Sequence, residues 1–481
     1  MTKRLPSPPA PGPLEDYAVR FDDLFGSLAQ RRGFREYLQG LLLPRDRNKA
    51  LTALAGTEPI VGAQGAPAQR LQFFLSESAW DAEAVNARRL QMIREDPERR
   101  PREDGVLIID ETGERKDGTK TDHVGYQYLS SVGRIANGIV SVSSVWADER
   151  VYHPLDVEPY TPAKRLEKGR SDPAFRTKPQ IAVELVQSAR KAHIPFRAVV
   201  ADCLYGENPD FESALWRRRV PYVLSLRPHK GRWAEQEAAH TPEEAAQRMG
   251  WNSAQEPGAW KSIVRTFKDG HQERWWAVEV TTLVGYSPEE SVRLVAVSTD
   301  PQTLPANSTW YLVTNLAAPD SRRAREESLF EAADLCEVVR IYGLRQWVEQ
   351  SYKQVKGELG FSDFQVRRDH AIRRHWELVF CAFSFCWWAY TQEERERAFT
   401  DPPPPDIKNV PEEAGEKEHN EEEEIPPSWP VALRRVRGWL DPWVMLWRFW
   451  QAWSKVPPPP QLQALLDAVG KGHSLDVYVP V

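Results

Sequence analysis

The order of elements between residues 101 and 226 limits what this chain can fold into more than any other feature of its sequence. After Pro101 a short apolar run, 106–109, closes on Asp110. Two β-rich runs follow, around 126–133 and 139–146, and Asn137-Gly138 between them is the turn chemistry of a tight hairpin. A helix is expected to open near Pro179 (PQIAVELVQSARKA), since proline suits the first helical turn. The strand FRAVVAD then closes on Asp202, a helix covers about 209–219, and PYVLSL reads as a strand. The order β-β-β-α-β-α-β is that of an α/β domain, with an aspartate ending its first strand and another ending its fourth.

The flanks have a different texture. Residues 1–16 are Pro-rich and apolar-poor and are expected to be disordered. Over 17–100 apolar residues recur at three-to-four spacing in FDDLFGSLAQ, FREYLQGLLL and AWDAEAVNARRLQMI, which predicts a small helical domain. Ser78 with Asp81 resembles a capping box ahead of its last helix. Residues 227–315 are strand-rich (WKSIVRTF, RWWAVEVTTLV, VRLVAVST, TWYLVTN) and read as a β insertion within the α/β domain. Its tryptophans are first of all core residues. Helical periodicity returns over 328–359 and 369–392, so 316–400 forms the second part of that domain. Residues 401–428 read as an acidic, Pro-rich linker, and 429–481 as a helical C-terminal domain. There Asp441-Pro442 suits a helix start, and Trp443, Trp447, Trp450 and Trp453 fall on one face, as core or subunit interface.

Length and composition narrow the class. A chain of 481 residues suggests about three domains. No apolar run reaches the ~18 residues of a membrane span, and the N-terminus lacks the apolar core of a signal peptide. Four scattered cysteines do not make a disulfide scaffold. A cytoplasmic, reducing environment is expected. The net charge is −6, but 401–424 hold ten acids and two lysines, −8, which leaves −6 − (−8) = +2 elsewhere. Within that remainder 30–49 and 161–180 each carry six Arg or Lys against two acids. Such patches permit nucleic-acid binding without demanding it.

Two strand-end aspartates can be plain turn residues. A third group adds weight. In IYGLRQWVEQSYKQVK, Tyr342, Arg345, Glu349 and Lys356 are spaced three, four and seven apart and would share one face of a helix. A salt-bridge ladder is the ordinary explanation of such a face. The spacing also resembles the YREK signature of cut-and-paste DDE transposases from bacterial insertion sequences. DETG (110–113), DCLYG (202–206) and a β insertion between the second Asp and the Glu match the same family. The resemblance spans about 105–392, with weaker likeness in GLLLPRDRNK and FFLSESAWDAEAV.

The resemblance implies a ribonuclease-H-like catalytic domain flanked by helical domains. It implies Asp110, Asp202 and Glu349 as the catalytic carboxylates, holding Mg²⁺ (or Mn²⁺) for two-metal phosphodiester chemistry. Arg345 would clamp a phosphate, and Tyr342 and Lys356 would hold the transposon end. Trp310 stands where relatives stack a flipped base while the second strand is cut through a hairpin. Double-stranded DNA with terminal inverted repeats, target DNA and a homodimer on DNA complete the expectation. Residues 17–100 would read the end, with Arg31, Arg32, Arg35, Arg45, Arg47 and Lys49 on phosphates; Arg367, Arg368, Arg373 and Arg374 would add further contacts. The zinc-type set His370, His375, Cys381 and Cys386 has the wrong spacing for a site. Two rival functions remain: a domesticated DNA-binding regulator, and a two-metal nuclease without strand transfer.

Overall fold

The computed structural model describes residues 10–472, apart from 230–232, 236–237, 268–269, 285–290, 320, 322–328, 401–427 and 454–457. The linker expected at 401–428 thus falls almost wholly outside the described residues. By contacts the chain divides into two units. One comprises Pro101–Lys353 with Arg367–Asp369, and the other Met1–Arg100, Gln354–Val366 and His370–Val481.

The first unit is built on β1 (Val106–Arg115), β2 (Gly125–Leu129), β3 (Arg134–Ala147), β4 (Tyr152–Tyr160), β5 (Ala198–Ala201) and β6 (Tyr222–Leu226). The 227–315 region contributes β7 (Trp233–Glu235), β8 (Ala238–His240), β9 (Lys261–Thr266), β10 (Gln272–Val284), β11 (Ser291–Ser298) and β12 (Thr309–Thr314). Ten strands form one sheet in the order β2-β3-β1-β5-β6-β12-β11-β10-β9, with β4 also on β3; β7 and β8 pair separately. β1, β5 and β6 run parallel. The helix Lys178–Lys191 makes the crossover into β5, opened by a Thr177–Gln180 capping box and Pro179. Its buried face carries Ile181, Leu185 and Val186. The insertion is a continuation of this sheet: β12 lies antiparallel on β6, pairing Leu312 with Ser225.

Three local readings are corrected. β1 does not stop at Asp110 but continues to Arg115, because β3 pairs with it over its whole length. Only the parallel pairing with β5 ends there, at Ile109↔Ala201. The hairpin turns at residues 130–133, not at Asn137-Gly138, which are strand residues opposite Tyr126 and Gly125. The Asn137 amide is used instead to bind the carbonyls of Lys116 and Gly118. β4 was not anticipated, since Pro154 and Pro159 interrupt its run; it pairs on one side only, where proline is tolerated.

The second unit is helical. The helices Leu28–Leu42, Ala66–Ser76 and Ala82–Glu95 pack with the long helix Asp369–Thr400 and with Trp429–Trp453. Tyr17 donates to the carbonyl of Cys381 at 3.2 Å, Tyr37 meets His375 Nδ1 at 2.7 Å, and Trp429 stacks on Phe383 at 4.6 Å. The apolar run 378–390 is therefore core. Among the described residues no helix is long and apolar enough to cross a membrane. The tail expected to be disordered over 1–16 contributes the helix Pro13–Ala18, which buries Leu14 and Tyr17. Asp81, not Ser78, caps Ala82–Glu95, accepting from the Glu83 amide. Asp441-Pro442 starts no helix: Pro442 lies inside Trp429–Trp453. Trp443 and Trp447 stack at 5.7 Å, with Trp447 part-exposed at 36%.

Candidate active site

The site lies at the end of the parallel strands. Asp110 on β1 and Asp202, the residue after β5, follow the last paired residues of adjacent strands, which run about 4.8 Å apart. Asp202 also caps the short helix Cys203–Gly206, accepting from the Leu204 amide at 3.0 Å. The final glycine of DCLYG is required by packing: a Cβ on Gly206 would come 2.0 Å from the Ser225 carbonyl oxygen on β6.

Asp110 is 8% exposed. Its Oδ1 accepts from the Glu111 amide at 2.8 Å, and its Oδ2 from Nη2 of Arg345 at 2.8 Å. Burial pushes its pKa up to about 7, with Arg345 working against the rise and Asp202 adding to it. Burial also opposes the charge of Arg345, but Asp110, Tyr342, Asp202 and Glu349 around it raise its pKa overall. Glu111 is held by Lys178 at 2.8 Å, and Ser143 on β3 meets the Tyr352 hydroxyl at 2.7 Å.

The four signature residues do not ride on one helix. The chain makes the helix Leu335–Gly343, turns through Leu344 and Arg345, and resumes as Gln346–Gly357. The turn lets Arg345 reach Asp110 while Glu349, one turn on, stays 72% exposed with Oε1 at 3.8 Å from Arg345 Nη1. Tyr342 is buried and meets the edge of Trp310 at 5.1 Å. Lys356 sits in the last turn of Gln346–Gly357, beyond Lys353 where the first unit ends. Trp310, on β12, is half-buried and lines a cavity of about 690 Å³ together with Trp275, Tyr342, Arg345 and Glu349.

The basic residues of the helical unit are divided in role. Arg31 and Arg35 are buried. Arg35 is bound to Glu15 and Asp22, each at 2.7 Å. Lys49 is buried too, donating to the carbonyls of Gly40, Leu41 and Leu43 at the end of Leu28–Leu42. Arg45 binds Asp363 and the carbonyls of Lys356 and Gly357, and Arg374 binds those of Leu75 and Trp80. Arg32 is exposed, beside Trp443 and Trp447 in a second cavity. The clustering of Arg31, Arg32, Arg35, Arg45, Arg47 and Lys49 that suggests a basic face cannot distinguish a phosphate ligand from a helix cap. Arg265, near the site, has no local signal in the sequence, and Lys178 shows there only as one of the six basic residues of 161–180.

Residues 20–282, more than half of the chain, match the family model of the DDE superfamily endonucleases. The match includes Asp110 and Asp202 and ends before Glu349. The chain belongs to this superfamily. It is 32% identical over 367 residues, 76% of its own length and 85% of the relative's, to a probable transposase for insertion sequence element IS701 from Microchaete diplosiphon. This protein is a DDE transposase, and transposases act on DNA.

Enzymes of this superfamily use divalent metal ions. The donors fit such an ion: hard carboxylate oxygens, two of them on adjacent strands. Arg345 stands among them as their counter-charge. Among the described residues no three metal-ligating side chains converge into one cluster, and Glu349 is exposed, facing Arg345 at 3.8 Å. His375 binds Tyr37 and the Gly360 carbonyl, with Cys381 and Cys386 buried in the helix core, so they make no zinc site.

Proposed function

We propose that the protein cuts the ends of an insertion sequence and joins them to target DNA, as a member of the YREK-signature, DETG-motif group. The observation that carries this reading is the placing of Asp110 and Asp202 just past the last paired residues of adjacent parallel strands, with Arg345 from the turn before Gln346–Gly357 bound to Asp110 and Glu349 one turn further on. The sheet order β4-β3-β1-β5-β6, antiparallel and then parallel, supports a ribonuclease-H-like core.

Asp110, Asp202 and Glu349 are the residues that would hold Mg²⁺, with Mn²⁺ as substitute. Two such ions supply activation of the attacking oxygen and stabilisation of the leaving one. The chain's own groups do the rest. The β1–β5 pairing fixes the two aspartates relative to each other, and Tyr342 packs the helix turn against Trp310. Arg345 orients a phosphate through its guanidinium fork, and Lys356 holds the backbone. Trp310 takes an extruded base during hairpin closure, which offsets the few kcal/mol of unstacking by about 1–3 kcal/mol. Terminal inverted repeats are read by residues 17–100, with exposed Arg32 rather than buried Arg31 and Arg35 on phosphate. Two copies assemble on DNA to cut two ends together, in the cytoplasm at the nucleoid.

Incubation with a duplex carrying the element's terminal repeat in Mg²⁺ tests the reading. A nick exposing a 3′-OH, then a hairpin end, then joining to a plasmid are expected in that order. Cleavage without joining would favour the simple nuclease, and binding without cleavage the regulator.

A further inference from the structure

The cavity beside Glu349 holds a cation that the reading above leaves without a task. The guanidinium carbon of Arg265, on β9, lies 4.9 Å from the ring centre of Phe267, 4.8 Å from that of Trp275 and 4.6 Å from that of Trp310. Gly343 makes room for it, since a Cβ there would meet Nη2 at 3.0 Å. Among the described residues Arg265 has no ion pair. Glu273, opposite it on β10, already accepts from Trp275 Nε1 at 2.8 Å and lies 3.4 Å from His271. Of the two other arginines lining the cavity, Arg345 is bound to Asp110, and Arg274 is exposed to solvent.

Aromatic rings engage a guanidinium through its flat faces and leave its N–H donors, which lie in its plane, available. Glu273 acts on Arg265 only at a distance, without an ion pair, and a cation partly withdrawn from water in this way gains from an anion that arrives with a ligand. The guanidinium fork matches phosphate oxygens in particular.

We infer that Arg265 is a positioning residue that binds the backbone phosphate of the nucleotide whose base stacks on Trp310. The inference rests on the reading of this site as one that takes an extruded base. It also accounts for what covers Trp310 in the DNA-free protein. Trp275 and Tyr342 are fixed by β10 and by a helix, whereas Arg265 is a long side chain. Its move to the phosphate uncovers the Trp310 ring as the nucleotide arrives.

The test is binding of the full chain, without metal, to end duplexes carrying a neutral methylphosphonate at each phosphate near the cut site in turn. Wild type is expected to lose about ten-fold in affinity at one position, the scale of one hydrogen-bonded charge pair. Arg265→Gln should lose a similar factor on native DNA and nothing further at that position. Arg265→Lys keeps the charge without the fork, so its loss there should be smaller than that of wild type. Additive losses at every position in Arg265→Gln, or an undiminished loss in Arg265→Lys, overturn the inference. Cleavage of native DNA is followed in parallel. A wild type that binds ends and never cuts them contradicts the reading of the site, whereas normal cutting with additive losses contradicts only the role of Arg265.

Discussion

Nη2 of Arg345 lies 2.8 Å from Oδ2 of Asp110, so a carboxyl group that would ligate metal is already engaged by a side chain of the protein itself. Nη1 of the same guanidinium faces Glu349 at 3.8 Å. A divalent ion held by Asp110, as proposed, would have to compete with Arg345 for it. Arg345→Gln removes the competing charge and keeps much of the shape. It is expected to bind Mn²⁺ several-fold more tightly in a DNA-free calorimetric titration, while cutting ends more slowly. Equal or weaker Mn²⁺ binding contradicts the competition.

The raised pKa of Asp110 has a consequence for stability. In the folded, metal-free chain its carboxyl keeps a proton up to about pH 7, and in the unfolded chain only to about 3.9. Between those values the folded state binds more protons, so this group's contribution to stability falls as pH rises through the window. Asp110→Asn cannot titrate. Its melting temperature relative to wild type, measured without metal, should therefore climb between pH 5 and pH 8. A constant difference across that range contradicts a buried, protonated Asp110.

Arg35 and Arg32 are three residues apart and should behave oppositely. Arg35 is 4% exposed between two carboxylates, and removing one partner of a buried pair costs ~3–5 kcal/mol. Arg35→Ala should unfold at markedly lower denaturant. Arg32→Ala should leave the denaturation midpoint unchanged and reduce the salt slope of end binding by about one. A stable Arg35→Ala that loses binding would return Arg35 to the DNA interface.

Much of this molecule was legible because its signals are local. The helix Lys178–Lys191 and β9 to β12 follow from capping residues, proline and apolar alternation. That Asp110 and Asp202 act together was implied by the family resemblance; the pairing of β1 with β5 is what sets them side by side. What was not legible depends on distant partners. β1 runs past Asp110 because β3 is there to pair with it, and Asn137-Gly138 fails to turn because carbonyls of residues 116 and 118 occupy its amide. The break at Arg345 is invisible in a sequence with perfect helical spacing, since reaching Asp110 is a tertiary gain. Likewise Lys49 and Arg35 look like surface charge until their carbonyl and carboxylate partners are known.

Trp310 separates hairpin formation from simple nicking. Nicking requires the carboxylates and one positioned phosphate, so Trp310→Ala should nick at nearly the wild-type rate. Losing a stacking partner worth about 1–3 kcal/mol should slow hairpin closure roughly five- to 150-fold. Nicked strands should accumulate on a denaturing gel. Equal loss of nick and hairpin would instead make Trp310 a packing residue for Trp275 and Tyr342.

The measurement that bears most directly on the catalytic assignment is end cleavage by Asp110→Asn, Asp202→Asn and Glu349→Gln in Mg²⁺, with end binding measured on the same preparations. Each substitution removes a ligand charge with little change of shape. The account predicts that all three bind the terminal repeat and that none nicks it detectably. Cleavage near the wild-type rate by any one of them would remove that carboxylate from the active site, and for Glu349, the exposed member of the set, would mean that the third ligand lies elsewhere in the chain.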